Sequence, residues 1–101
     1  MQRVFQRLEI KPGSQEEYKR RHDEVWPEMI DLMRQAGIRN YSIWNDGVDL
    51  FCYFETNDLD ECKRVIAQSD VKKRWDIYMS DILVNWNASV KVTEPAFLFE
   101  G

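Results

Sequence analysis

The chain has 101 residues, with 14 basic and 18 acidic side chains and a net charge of −4 at pH 7. That length holds one domain with one core, and the two signs of charge are interspersed without a basic block, which excludes the electrostatic footprint of a nucleic-acid binder. Four Trp, four Tyr and five Phe are more aromatic surface than so small a core needs, so some of these rings are expected in a pocket or a subunit contact.

The first segment, MQRVFQRLEIK, is charged every few positions and has no apolar run long enough for a signal peptide or a membrane span, so a cytoplasmic protein is expected. Residues 2 to 10 alternate, Val4, Leu8 and Ile10 toward one side and Phe5, Arg7 and Glu9 toward the other, as in a half-buried strand. Pro12 and Gly13 end it. Ser14 followed by Glu17 has the capping-box pattern and predicts a helix start. Pro27 must interrupt that helix, because it removes a ladder hydrogen bond and disfavours helical geometry at Trp26; a second helical piece is expected from about Glu28 to Ala36, stopped by Gly37.

IRNYSIW (38 to 44) and VDLFCYFET (48 to 56) are rich in β-branched and aromatic residues and flank the turn residues Asn45, Asp46 and Gly47, which predicts a hairpin. Cys52 and Cys62 have neither C-x-x-C spacing nor a histidine nearby in sequence, so two reduced thiols are expected rather than a metal or redox pair. Asp58 with Glu61 repeats the capping signal and opens a helix to about Gln68; Ser69 or Asp70 opens another to about Ile82. A polar loop from Asn85 to Pro95, which could cover a pocket, leads to AFLFE (96 to 100), expected to be the last strand.

Strand, helices, strand, strand, helices, strand is the order of the α+β ferredoxin-like split βαβ fold, a four-stranded antiparallel sheet with helices on one face. The other face also carries apolar and aromatic residues. A second copy of the chain, packed there as a homodimeric α/β barrel, would cover it.

Within EYKRRHDEVWPE (17 to 28), Tyr18, His22 and Trp26 recur every fourth residue, which on one helix gives a wall of phenol, imidazole and indole. Such a stripe is also what an amphipathic helix buries, with His22 bonded in a core; all three side chains, however, are amphipathic where pure packing would use Leu, Ile or Val. In SDVKKRWDIYM (69 to 79), Trp75 lies on the apolar stripe with Arg74 and Asp76 beside it. Tyr41 stands on a strand whose neighbours Ser42 and Trp44 face the other way. Arg20, Arg21, Lys72 and Lys73 read most simply as solvated helix faces. With no glycine-rich phosphate loop, no G-x-S-x-G elbow and no His or Cys pair at ligand spacing, the chemistry left open is proton transfer by the single histidine, whose ordinary pKa of about 6.5 suits it to give and take protons near neutrality.

The run EYKRRH followed by VWPE, the segment GIRNYSIW and the later SDVKKRWDIYM together resemble the L-rhamnose mutarotases, in the family's order and spacing and over nearly the whole chain. The resemblance implies a homodimeric isomerase of carbohydrate metabolism that interconverts the α and β anomers of L-rhamnose without metal or cofactor. By position it implies His22 as the catalytic acid/base and Tyr18, Tyr41 and Trp75 as sugar contacts. Asp76 stands where the family usually has a second tryptophan, exchanging an apolar wall for an acceptor of hydroxyl protons. That departure motivates L-fucose or another 6-deoxyhexose as an alternative substrate. A heme- or quinone-directed monooxygenase and a non-catalytic sugar-binding or dimerisation module are the rivals from other classes.

Overall fold

The computed structural model describes residues 1–84 and 90–101. Its elements run β1 (Gln2–Glu9), α1 (Gln15–Asp23), α2 (Pro27–Gln35), β2 (Arg39–Asp46), β3 (Asp49–Thr56), α3 (Leu59–Ala67), α4 (Asp70–Met79) and β4 (Lys91–Val92). The four strands form one antiparallel sheet in the order β2-β3-β1-β4, the ferredoxin-like α+β arrangement expected from the sequence.

The alternation in β1 sorts as the pattern predicts: Val4 and Ile10 are wholly buried while Phe5 is exposed. β3 places Leu50, Cys52, Phe54 and Thr56 on the same inner face. Against that face, one core gathers Ile10, Tyr18, Met29, Leu50, Trp75 and Met79 from the sheet and from α1, α2 and α4. A second gathers Val4, Ala36, Phe54, Leu59 and Cys62 where α2 ends and α3 begins. Removing each such side chain from water contributes roughly 1.5–3 kcal/mol, which makes this face the main source of stability.

Local signals account for the helix boundaries unevenly. Pro27 occupies the first position of α2, where its missing N–H is harmless, and Trp26 before it is extended at φ −63°, ψ 136°. At the other end of α2, Gly37 at φ +77° donates its N–H to the Arg34 carbonyl (3.0 Å) while Ile38 N–H reaches the Met33 carbonyl (3.0 Å), a Schellman pair that only a left-handed residue permits. Asp58 and Ser69 cap α3 and α4 by accepting from Glu61 N–H (3.1 Å) and Lys72 N–H (3.2 Å). Ser14 does not cap α1. Its hydroxyl donates back to the Lys11 carbonyl, and Glu17, the other half of the expected box, is drawn to Arg20 and Arg21 by stronger charge-assisted bonds.

Two boundaries differ from expectation. α4 stops at Met79, and a turn carries the chain through Ile82 to a bridge between Ile10 and Leu83. The fourth strand is Lys91–Val92, paired with Phe5 and Val4, and not AFLFE (96 to 100), which forms no ladder. The free edge of β1 is already used by Lys91 and Val92, Pro95 has no N–H to donate, and Phe97 and Phe99 remain 83% and 81% exposed. Of the loop expected from Asn85 to Pro95, residues 85–89 lie outside the described residues. Among the described residues no helix is long and apolar enough to cross a membrane.

Candidate functional site

α1 is too short to carry the whole predicted stripe. It ends at Asp23, so Tyr18 and His22 share one helical face but Trp26 falls beyond the last turn. Trp26 packs edge-on against Trp75 (centroids 5.1 Å apart) and lies under Arg74, whose guanidinium also makes two bonds to Glu28. Trp26 and Arg74 therefore tie α2 to α4 and take no part in the cleft.

The position of α1 is set by Arg21, which is buried rather than solvated. Its Nε donates to Glu17 (2.8 Å), Nη1 to the Tyr78 carbonyl (2.8 Å) and to Asp81 (2.9 Å), and Nη2 to the other oxygen of Asp81 (3.1 Å). The guanidinium holds Asp81 below the usual carboxylate range, and together with Arg20 it lowers Glu17 to about 2. This clamp joins α1 to the end of α4 one residue before the imidazole.

His22 stacks on Tyr18 (centroids 4.2 Å, planes 28° apart) and meets Trp75 edge-on at 5.3 Å. Its Nδ1 lies 3.0 Å from the Tyr18 carbonyl oxygen. A carbonyl can only accept, so Nδ1 carries the hydrogen and Nε2 holds the lone pair of the neutral ring. Burial lowers the His22 pKa below 6.5, against the smaller opposing effects of that bond and of Asp23, so the ring is neutral at pH 7.

Opposite, on the inward phase of β2, Tyr41 stacks on Phe54 with centroids 5.5 Å apart and planes nearly parallel. Its ring is 40% exposed along the cleft, while its hydroxyl end lies beside Cys52 and loses water there. Burial raises the pKa of Tyr18 and of Tyr41 and pushes the Cys52 thiol up to about 11. The two phenols and the thiol are therefore neutral hydrogen-bonding groups at physiological pH, and Cys52 and Cys62 are both unpaired and buried.

Two adjoining clefts share His22, Tyr41 and Ile43. One, of about 630 Å³, runs between Tyr18 and Lys19 of α1 and Asn45 of β2. The other, of about 610 Å³, runs from Gln6 and Leu8 on the sheet to Trp75 and Asp76 on α4. Each volume falls in the range of small-molecule sites. Tyr18 thus lines the first cleft, Trp75 and Asp76 the second, and His22 and Tyr41 the wall that the two share. Among the described residues no group of three or more His, Cys, Asp or Glu side chains could hold a metal ion.

The sequence reading assigned no role to Gln6, Lys63, Lys72 or Lys73 of the second cleft, of which Gln6 and Lys72 are the least exposed. Gln6 sits on the inward phase of β1 between Val4 and Leu8, and an amide at a core phase was the available signal. Lys72, read as a solvated face, is half-buried and donates to Asp76 one turn along α4.

The sequence profile described as L-rhamnose mutarotase matches residues 3–98. An L-rhamnose mutarotase of Burkholderia orbicola (strain MC0-3) is 36% identical over 105 aligned positions, covering 99% of this chain and all of that protein. One of Listeria monocytogenes serovar 1/2a is 40% identical, covering 82% of this chain and 81% of its own length. The crystal structure of L-rhamnose mutarotase FA22100 from Formosa agariphila superposes with a TM-score of 0.79 at 28% identity, covering 99% of this chain and 100% of that one. A NIPSNAP-like domain protein from Burkholderia xenovorans, at 16% identity and a TM-score of 0.67 over 99% of this chain and 90% of its own, shares the fold alone. A profile match over nearly the entire length, with relatives of equal size above 30% identity, establishes that the chain belongs to the L-rhamnose mutarotase family.

Proposed function

We propose that the depression centred on His22 binds L-rhamnose and that His22 is its catalytic acid/base. The chain is an isomerase that interconverts the α and β anomers of L-rhamnose. The observation that carries the residue assignment is the bond from Nδ1–H to the Tyr18 carbonyl, which presents Nε2 as a base in a ring that is neutral at pH 7.

Nε2 takes the proton of the anomeric hydroxyl as the bond from C1 to the ring oxygen breaks, and the ring oxygen receives a proton delivered through Tyr18 or a water. The aldehyde turns about C1–C2, and closure on the other face returns both protons, so no net proton is consumed. Because burial keeps the Tyr18 phenol neutral, it can serve as a relay that gives and receives in one motion but not as a standing base. Trp75 and Tyr41 offer ring faces to the C–H side of the sugar, and Asp76 accepts from a hydroxyl. Positioning and proton transfer together supply the rate.

We also assign the working form as a cytoplasmic homodimer. The free thiols suit a reducing compartment. The sheet face away from the helices exposes Phe5 (41%), Phe51 (47%) and Trp44 (69%), apolar surface that a second copy would cover. The activity is tested by saturation-transfer NMR on equilibrating L-rhamnose. Exchange between anomeric signals well above the buffer rate is expected; exchange at the buffer rate in the presence of bound sugar would reduce the chain to a binding module.

A further inference from the structure

The second cleft is apolar along most of its wall, with Leu8, Ile43, Phe54 and Trp75 among its lining, yet besides His22 and Tyr41 it carries the half-buried Gln6, Lys72 and Asp76 and, at its exposed margin, Lys63 and Lys73. Gln6 rises from the sheet floor opposite Cys52. Lys72 and Asp76, one turn apart on α4, flank the side of the helix that also presents Trp75, and they are bonded to each other with 35% and 39% of their side chains exposed. The Lys72–Asp76 pair is neutral as a unit. It presents both a donor and an acceptor, which matches a hydroxyl, a group that is itself both. A methyl group laid against it would take water from two charges and return no bond.

In a pyranose, the carbon bonded to the ring oxygen on the side away from C1 carries C6. Whatever stands at C6 therefore lies close to the oxygen that must be protonated. We propose that Gln6, Lys72 and Asp76 read a hydroxyl at C6. The chain then turns over L-mannose, which has the ring stereochemistry of L-rhamnose and a hydroxymethyl in place of its methyl, at least as well as L-rhamnose. This rests on the His22-centred mutarotase reading and extends it to the parent hexose.

The test is two-dimensional exchange NMR on L-mannose and L-rhamnose at equal concentration, reading the ratio of the enzyme-dependent exchange rates, with circular dichroism to verify folding. The wild-type ratio is expected at one or above. Asp76→Leu, Lys72→Met and Gln6→Leu are each expected to lower it by about tenfold or more, since a site built to bond a hydroxyl discriminates strongly only while its polar groups are intact. Catalysed exchange of L-rhamnose with L-mannose left at the buffer rate would overturn the proposal while sparing the mutarotase reading, as would a ratio that the three substitutions leave unmoved. Exchange of neither sugar would overturn both.

Discussion

At His22 a single bond supplies what spacing alone cannot, the tautomer of the ring. An i to i+4 imidazole can be a core histidine or a base, and Nδ1–H donating to the Tyr18 carbonyl fixes the tautomer, while the shared wall of two clefts gives the ring somewhere to act. Tyr18 and Trp75 belong to the core and also line a cleft, so a stripe at helical spacing does not separate packing from a site. Trp26 was misjudged because the periodicity runs on past a helix that has already ended, and Gln6 was overlooked although its amide falls on the core phase between Val4 and Leu8. The pH dependence follows from burial. With its pKa lowered below 6.5, His22 stays a competent base through neutrality, so the exchange rate is expected to hold between pH 8 and about 6.5 and to fall only at lower pH. A rate that rises on acidification would contradict the assignment. Stability should follow the same sign: the unfolded chain takes up its proton near 6.5, before the folded one, so His22 weakens the fold as pH drops through that value and has no effect above it.

Among the elements, the helix ends were read with mixed success, for a physical reason. Asp58 accepts from Glu61 N–H and caps α3, whereas Ser14 and Glu17 are drawn away by a nearby carbonyl and by two arginines that the sequence does not place. Asp58→Ala is therefore expected to cost about 1 kcal/mol in urea denaturation, and Ser14→Ala distinctly less. Equal losses would mean that Ser14 caps after all. Gly37 was legible, since a glycine after a helical run and before a strand fits a left-handed stop. Gly37→Ala should cost on the order of 1–2 kcal/mol from its positive φ rather than from crowding, because an added Cβ would lie 3.6 Å from the Thr56 hydroxyl oxygen. A neutral substitution would show that the turn relaxes.

At the scale of the whole molecule, the order of elements and the inner sheet face could be read because alternation and helix signals are local. The last strand could not. AFLFE has strand composition, but pairing needs a free edge, and Lys91 and Val92 already occupy the one beside β1. Leu50, wholly buried at the centre of the sheet, is expected to cost about 3 kcal/mol when cut to alanine, read from chemical denaturation. Trp44→Glu and Phe51→Glu on the outer face are expected to leave the fold intact and halve the mass found by light scattering; a wild-type monomer would refute the dimer. The proposed proton transfer depends on His22, and the decisive measurement is anomer exchange of L-rhamnose by NMR in the wild type and in His22→Ala of verified fold. The expected result is a loss of about 100-fold or more with the fold retained. Exchange that persists at the wild-type rate in a folded His22→Ala protein would contradict it.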